Sequence, residues 1–307
     1  MTRIATLAQH NLTQSQILQT QQRMQDLQIQ LSSGQKARRY SGIALDSAKL
    51  VNLESARTRA DQYVKGNNTT TLRLQTMEQS VADTFDIASN LKTLLVNALN
   101  AEDAAELPLN QTAGDMMNEL ARVLNIKLGD RYLFSGTATG TAPIDFTDPS
   151  FLPPPSAYPS NADTSYFQGT NIKLTSQVAD NYDVTWGVTA DEAGFEQLIR
   201  ALNLTATAST SPNIDRNRLQ EALVVVNQAI DNLPVIRSRI GSSQRAIEQA
   251  NDSLQDLSLY LDESITDLKA VDIPLAVTKL TNDQVILEAS YMTVSRLSTL
   301  NLANFLN

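Results

Sequence analysis

From residue 53 to residue 98 the chain places apolar or small side chains at alternating steps of three and four. The positions are Leu53, Ala56, Ala60, Tyr63, Asn67, Thr70, Leu74, Met77, Val81, Thr84, Ala88, Leu91, Leu95 and Ala98. An unbroken run of that spacing predicts one long helix with a heptad seam for a partner helix. A second seam runs Leu219, Leu223, Val226, Ile230, Leu233, Arg237, Ile240, Gln244, Ile247, Asn251, Leu254, Ser258, Leu261, Ile265 and Leu268. Every second position from Arg237 to Ser258 is polar, as expected of a half-wet coiled coil whose register is fixed by polar groups. Pro234 removes a backbone donor and is expected to kink or break this helix.

Shorter helical patterns flank these two. From residue 4 to about residue 31, Ile17, Met24, Leu27 and Leu31 share one face, and Ser33 with Gly34 supplies a stop. Ten Gln residues between Gln9 and Gln35 form helix adequately but add no charge pairs. "NAEDAAELP" interrupts the first long helix, and Leu109, Ala113, Met116, Leu120 and Val123 mark another. The last helix begins near Pro274 with Val277, Leu280, Gln284, Leu287, Tyr291 and Val294 as its seam; Ile286, Thr293, Leu297 and Leu300 form a second stripe. Two apolar stripes require two neighbours, which implies self-association.

Residues 143–159 hold six of the ten prolines and predict an extended, exposed connection. Beyond them, "TSYFQG", "NIKLTSQVA" and "NYDVTWGV" read as short strands, and a helix from Glu192 to about Leu204 returns the chain. Asn213 or Asp215 would cap the helix that follows. The expected fold is mainly α: a long antiparallel coiled-coil rod with a small inserted β-containing domain. Its segments are 1–45 (assembly helix and loop), 46–142 (rod helices), 143–212 (inserted, outward-facing), 213–272 (return helix) and 273–307 (C-terminal assembly helix).

Composition narrows the function. Across 307 residues there are one Trp, one His and 5% aromatic residues, too few large anchors for a sizeable ligand pocket. The net charge of −9 disfavours a nucleic-acid partner. Residues 1–39 run the other way, with Arg3, Arg23, Lys36, Arg38 and Arg39 against Asp26 alone. The absence of Cys excludes disulfides and thiolate metal sites, and no apolar run is long enough to span a bilayer. A removable secretory signal is not expected at the N-terminus.

Candidate chemistry is sparse. The Gly/Thr run after Phe134 follows a helix instead of opening one and lacks the Lys of a phosphate loop. His10 reads as a solvated polar residue, Trp186 as core, and the adjacent Asp262 and Glu263 as a solvated face. "NAEDAAE" lacks the Gly and the ligand alternation of a calcium loop. No catalytic residue, cofactor or metal is expected, and the chain is not expected to be an enzyme.

This order of segments, with "GDRYLFSGTATGTAPI" at 129–144, resembles the flagellin superfamily, and within it the hook-associated protein 3 branch that forms the hook–filament junction. "LQIQLSSGQK", "RSRIGSSQRAIEQAN" and "DIPLAVTKLTNDQVILEASYMTVSRLSTLNLANFLN" are similar to the family's first, return and last helices. The resemblance covers roughly residues 1–142 and 213–307. It implies a structural subunit secreted through the flagellar type III channel without a cleaved signal, with an export chaperone, and assembled in the extracellular flagellum by coiled-coil contacts. Implied partners are copies of itself, hook-associated protein 1, flagellin and the export apparatus, with no nucleic acid and no membrane. The implied assembly interface is Ile17, Met24, Leu27, Leu31, Val277, Leu280, Leu287, Tyr291, Val294, Leu297 and Leu300. Filament flagellin is the close alternative, and a cytoplasmic coiled-coil adaptor the distant one.

Overall fold

A computed structural model describes residues 2–37, 46–100, 108–209 and 214–303, with the side chains of 2–10 and 297–303 not described. Six helices dominate: α1 (Thr2–Ser33), α2 (Ser47–Asn100), α3 (Leu109–Leu124), α4 (Ala193–Ala206), α5 (Arg216–Lys269) and α6 (Ile273–Ala303). Two antiparallel hairpins accompany them, β1 (Lys127–Leu128) with β2 (Arg131–Tyr132), and β3 (Thr175–Ala179) with β4 (Tyr182–Thr185). The chain divides into two compact units, residues 60–256 and residues 1–59 with 257–307.

In the 60–256 unit, burial follows the first heptad seam. Ala60, Leu74, Met77, Val81, Ala88, Leu91, Leu95 and Ala98 are buried on α2, each large one worth about 1.5–3 kcal/mol of transfer free energy. Asn67, Thr70 and Thr84 are buried on the same seam. Thr70 and Thr84 satisfy their hydroxyls on carbonyls four residues back, those of Gly66 and Ser80, so buried polarity there needs no partner from another helix.

Helix α5 lies antiparallel to α2, and its polar seam positions carry the cross-links. Arg237 Nε donates to Glu78 Oε1 at 3.1 Å, and Gln244 Nε2 donates to Glu78 Oε2 at 3.3 Å. Asp215 caps the helix, accepting the Arg218 N–H at 3.1 Å; Asn213 lies outside the described residues. The expected break at Pro234 does not occur: α5 is continuous through it. Pro234 is on the exposed side of the helix, between the buried Leu233 and Ile236, so solvent can reach the carbonyl it leaves without a donor.

Residues 127–205 share one hydrophobic core with α2, α3 and α5, with Phe134, Tyr166, Trp186, Phe195, Leu198 and Leu202 buried in it. "KLGDRY" forms the β1–β2 hairpin, turning at Gly129 with φ +63°. Gly136 then takes φ +63° where a Cβ would overlap the Thr170 carbonyl oxygen, which is why the run after Phe134 begins with glycine. Of the three expected strands, "TSYFQG" is irregular and carries one isolated β-bridge, Phe167 to Ile144. The β3–β4 hairpin carries a bulge after Gln177 and turns through Asn181, at φ +58°.

The Pro-rich connection is not simply exposed. Phe146, Phe151 and Tyr166 form an aromatic cluster with centroids 5.3–6.1 Å apart. Ser160 donates from its N–H and its hydroxyl to Glu221 Oε1, each at 2.7 Å, and Arg200 Nη1 donates to the Ser160 carbonyl at 2.6 Å. Arg200 also pairs with the buried Glu196 at 2.9 Å, which orients its guanidinium.

Candidate assembly surface

The second unit is built on α1 and α6. Helix α1 ends as its stop signal requires: Gly34 takes φ +70° and returns its N–H to the Gln30 carbonyl at 2.8 Å. The next residues form a short two-bond ladder with the α5–α6 junction, Lys36 N–H to the Lys269 carbonyl at 2.8 Å and Val271 N–H to the Gly34 carbonyl at 3.0 Å. At 3.0 Å from the Leu275 N–H, Asp272 Oδ1 opens α6. The ladder and the cap fix where two helices distant in sequence begin their antiparallel run.

Thr13, Ile17, Met24, Leu27 and Leu31 are half-buried on α1, and Thr20 between them is buried. The contact stripe of α6 differs from the expected one. Ala276 and Asp283 are buried, and Leu280, Leu287, Ser290 and Val294 are half-buried, again in steps of four and three. Val277 and Tyr291 instead lie 46% and 48% exposed, outside the buried stripe of α6. Leu297 and Leu300 fall outside the described side chains. Two polar contacts cross between the helices: Arg23 to Asp283 at 3.4 Å and Gln21 Nε2 to the Tyr291 hydroxyl at 2.7 Å. Arg23 supplies the charge that allows a carboxylate to sit in the seam.

Elsewhere in this unit Arg57 pairs with Asp262 and Lys269 with Glu54, again joining α2 to an antiparallel α5. Asp262 is thus paired, not merely solvated, whereas Glu263 is exposed. His10 falls outside the described side chains.

What α1 leaves uncovered is apolar. Among the described residues, fourteen of the twenty-one large hydrophobic side chains that stand exposed belong to this unit, which holds about a third of the chain. On α6 they include Ile273, Leu275, Val277, Val285, Ile286, Tyr291 and Met292, and on α1 Leu12, Leu18 and Ile29. Val285 and Met292 are seven apart and share a face, a signal present in the sequence but masked by the stronger Leu280–Leu287–Val294 series. Such a density of exposed apolar surface marks an interaction surface. Among the described residues no group of three or more His, Cys, Asp or Glu is placed to hold a metal ion. No helix among them is long and apolar enough to cross a membrane.

Two family models match the chain: the bacterial flagellin N-terminal helical region over residues 4–139 and the bacterial flagellin C-terminal helical region over residues 223–306. Flagellar hook-associated protein 3 of Escherichia coli is 21% identical over 284 residues, spanning 89% of this chain and 90% of the relative. Among solved structures, a protein of Vibrio parahaemolyticus assigned as a flagellar hook-associated protein superposes with a TM-score of 0.56 at 17% identity, covering 73% of this chain and 97% of the other. The crystal structure of FlgL from Bacillus cereus gives 0.55 at 16% identity, covering 71% and 99%.

Proposed function

Because the chain belongs to the flagellin superfamily, we propose that it is a structural subunit of the bacterial flagellum, standing at the junction between hook and filament. The observation that carries this is the α1–α6 pair, which joins both ends of the sequence into one antiparallel unit and leaves a second apolar face uncovered. A subunit of that kind completes its fold by packing against copies of itself, and a ring of such copies presents one surface to the hook and another to the filament. Hook-associated protein 1 on one side and flagellin on the other are the partners this role requires. Delivery through the flagellar type III channel, with an export chaperone covering the apolar helices beforehand, is the route that fits it.

Filament flagellin is the second reading, favoured by the match of both terminal regions to flagellin models. The near full-length relative named as a hook-associated protein favours the junction. Labelling purified hook–filament assemblies with an antibody to this chain separates the two. One narrow band where hook meets filament is the expected result. Label along the whole filament would establish the flagellin reading, and unlabelled hooks and filaments would overturn both.

A further inference from the structure

Part of α2 is helical without the usual support for a helix. Residues 66–71 are "GNNTTT", a run drawn wholly from the weak end of the helix-propensity ranking, yet α2 passes through them unbroken. Nothing lies within 4 Å of a Cβ added to Gly66, so no close approach calls for glycine there. Thr69 and Thr70 turn their hydroxyls back to the carbonyls of Lys65 and Gly66, at 3.1 and 3.2 Å, a bond that loosens a helix more than it strengthens one. Apolar packing does not compensate. Between Ala60 and Leu74, α2 buries no apolar side chain, and its buried positions there are Asn67 and Thr70.

The β3–β4 hairpin covers this stretch. The Tyr63 hydroxyl donates to Asp180 Oδ1 at 3.0 Å, Asn67 Nδ2 donates to the Val178 carbonyl at 3.0 Å, and the Thr70 and Ser176 hydroxyls lie 3.4 Å apart. Every second residue from Ser176 to Asp180 therefore meets the next seam position of α2. The match is possible because two strand residues advance about 6.6 Å, and three or four helical residues about 4.5–6 Å. Val178 and Val184 bury the apolar side of the hairpin, and its second strand ends on α5, where Ser243 Oγ donates to the Thr185 carbonyl at 3.3 Å.

We propose that residues 66–71 are a conditional segment of α2, helical only while the β3–β4 hairpin lies along them, so that docking of the hairpin completes the helix. A short helical stretch draws its stability from packing more than from propensity. With the hairpin away, the side-chain bonds from this stretch to another helix, among the described residues, are those of Asn67 and Asn68 with Asn251, at 2.8 and 3.2 Å. Residues 66–71 then open first, as a local unit, while the C-terminal part of α2 stays anchored by the buried Met77, Val81, Leu91 and Leu95. The inserted segment thus acts as a strap on the long helix, and this inference stands apart from the flagellar reading.

Hydrogen exchange of the full-length chain, followed by mass spectrometry, tests it. Ser176→Ala/Asp180→Ala removes the hairpin's partners of Thr70 and Tyr63 and leaves α2 unchanged. Amides 66–71 should then exchange about fivefold faster or more, while those of 81–95 keep the wild-type rate. Adding Gly66→Ala/Thr69→Ala, at two exposed positions apart from Tyr63, Asn67 and Thr70, should bring 66–71 back to within about twofold of wild type. In the wild-type chain, where no substitution can disturb folding, low urea should release 66–71 together with 175–185 and before 81–95. Unchanged exchange of 66–71 in the first variant would overturn the proposal. So would acceleration along the whole of α2, failure of the added alanines to restore protection, or release of 175–185 in urea while 66–71 stays protected.

Discussion

Asn67 Nδ2 on α2 donates to Asn251 Oδ1 on α5 at 2.8 Å, and the same amide nitrogen donates to the Val178 carbonyl of β3 at 3.0 Å. One buried side chain therefore fixes the helix register and anchors a hairpin. Its neighbours act alike: the Trp186 indole donates to Ser176 Oγ at 2.8 Å, and Ser176 lies 3.4 Å from the Thr70 hydroxyl. Asn67→Ala should leave the Val178 carbonyl and Asn251 without this donor and cost about 1–3 kcal/mol. Denaturant unfolding followed by Trp186, the one tryptophan in the chain, reads this directly.

Gly136→Ala should be far more damaging than Gly140→Ala. At Gly136 the left-handed backbone alone costs a β-carbon about 1–2 kcal/mol, and the Thr170 carbonyl occupies the space it needs. Around Gly140 nothing lies within 4 Å of an added Cβ, and substitution should stay within about 0.5 kcal/mol. Comparing the two unfolding midpoints checks it.

Tyr166 predicts the alkaline limit of the 60–256 unit. Burial, followed by the carboxylates of Glu196, Asp191 and Asp163, raises its phenol well above the ordinary value, while its hydroxyl donates to the Ala190 carbonyl at 3.0 Å. Because the folded-state pKa is the higher one, the contribution of the neutral phenol is fully present below about pH 10 and is lost as pH climbs through the folded value. Tyr166→Phe should cost about 1 kcal/mol at neutral pH by removing that bond. Its stability should then fall less steeply than wild type above pH 10, as measured by denaturant unfolding at stepped pH.

Glu221→Ala should loosen the Pro-rich connection without unfolding the helices. Ser160 loses the acceptor of both its hydrogen bonds, and Arg200 alone holds the segment there. Limited proteolysis should cut near residues 153–160 faster than in wild type, with circular dichroism unchanged.

The parts of this fold that were legible in sequence are those with long periodic runs or strong stops. The α2 seam from Ala60 to Ala98 shows because each position repeats the same demand, and Ser33 with Gly34 ends α1 because only glycine takes φ +70° without strain. The β1–β2 hairpin did not show: two-residue strands have no measurable alternation, and only the Gly129 turn betrays it. At Pro234 a proline signals the loss of one bond, which does not by itself break α5, because the packing of Leu233 and Ile236 holds the helix through it. On α6 the sequence offers neighbouring stripes, Val277–Gln284–Tyr291 and Ala276–Asp283–Ser290. Periodicity cannot choose between them, and the apolar one looked the better seam. In the observed stripe Asp283 faces Arg23 of another helix, 3.4 Å away, a partner that the periodicity of α6 alone does not reveal.

Val285 and Met292 stand 59% and 62% exposed on the face of α6 that α1 does not cover, so they test the assembly surface without disturbing the α1–α6 seam that Leu287 would. In a strain whose only copy carries Val285→Asp/Met292→Asp, the fraction of hooks bearing filaments is counted by electron microscopy. The variant should fold and be secreted like wild type, because an exposed carboxylate costs the isolated chain little, whereas burying it unpaired in an assembly costs several kcal/mol at each copy. Bare hooks, with the variant and unpolymerised flagellin in the medium, are the predicted result. Filaments at wild-type number and length would contradict the assignment of this face to assembly.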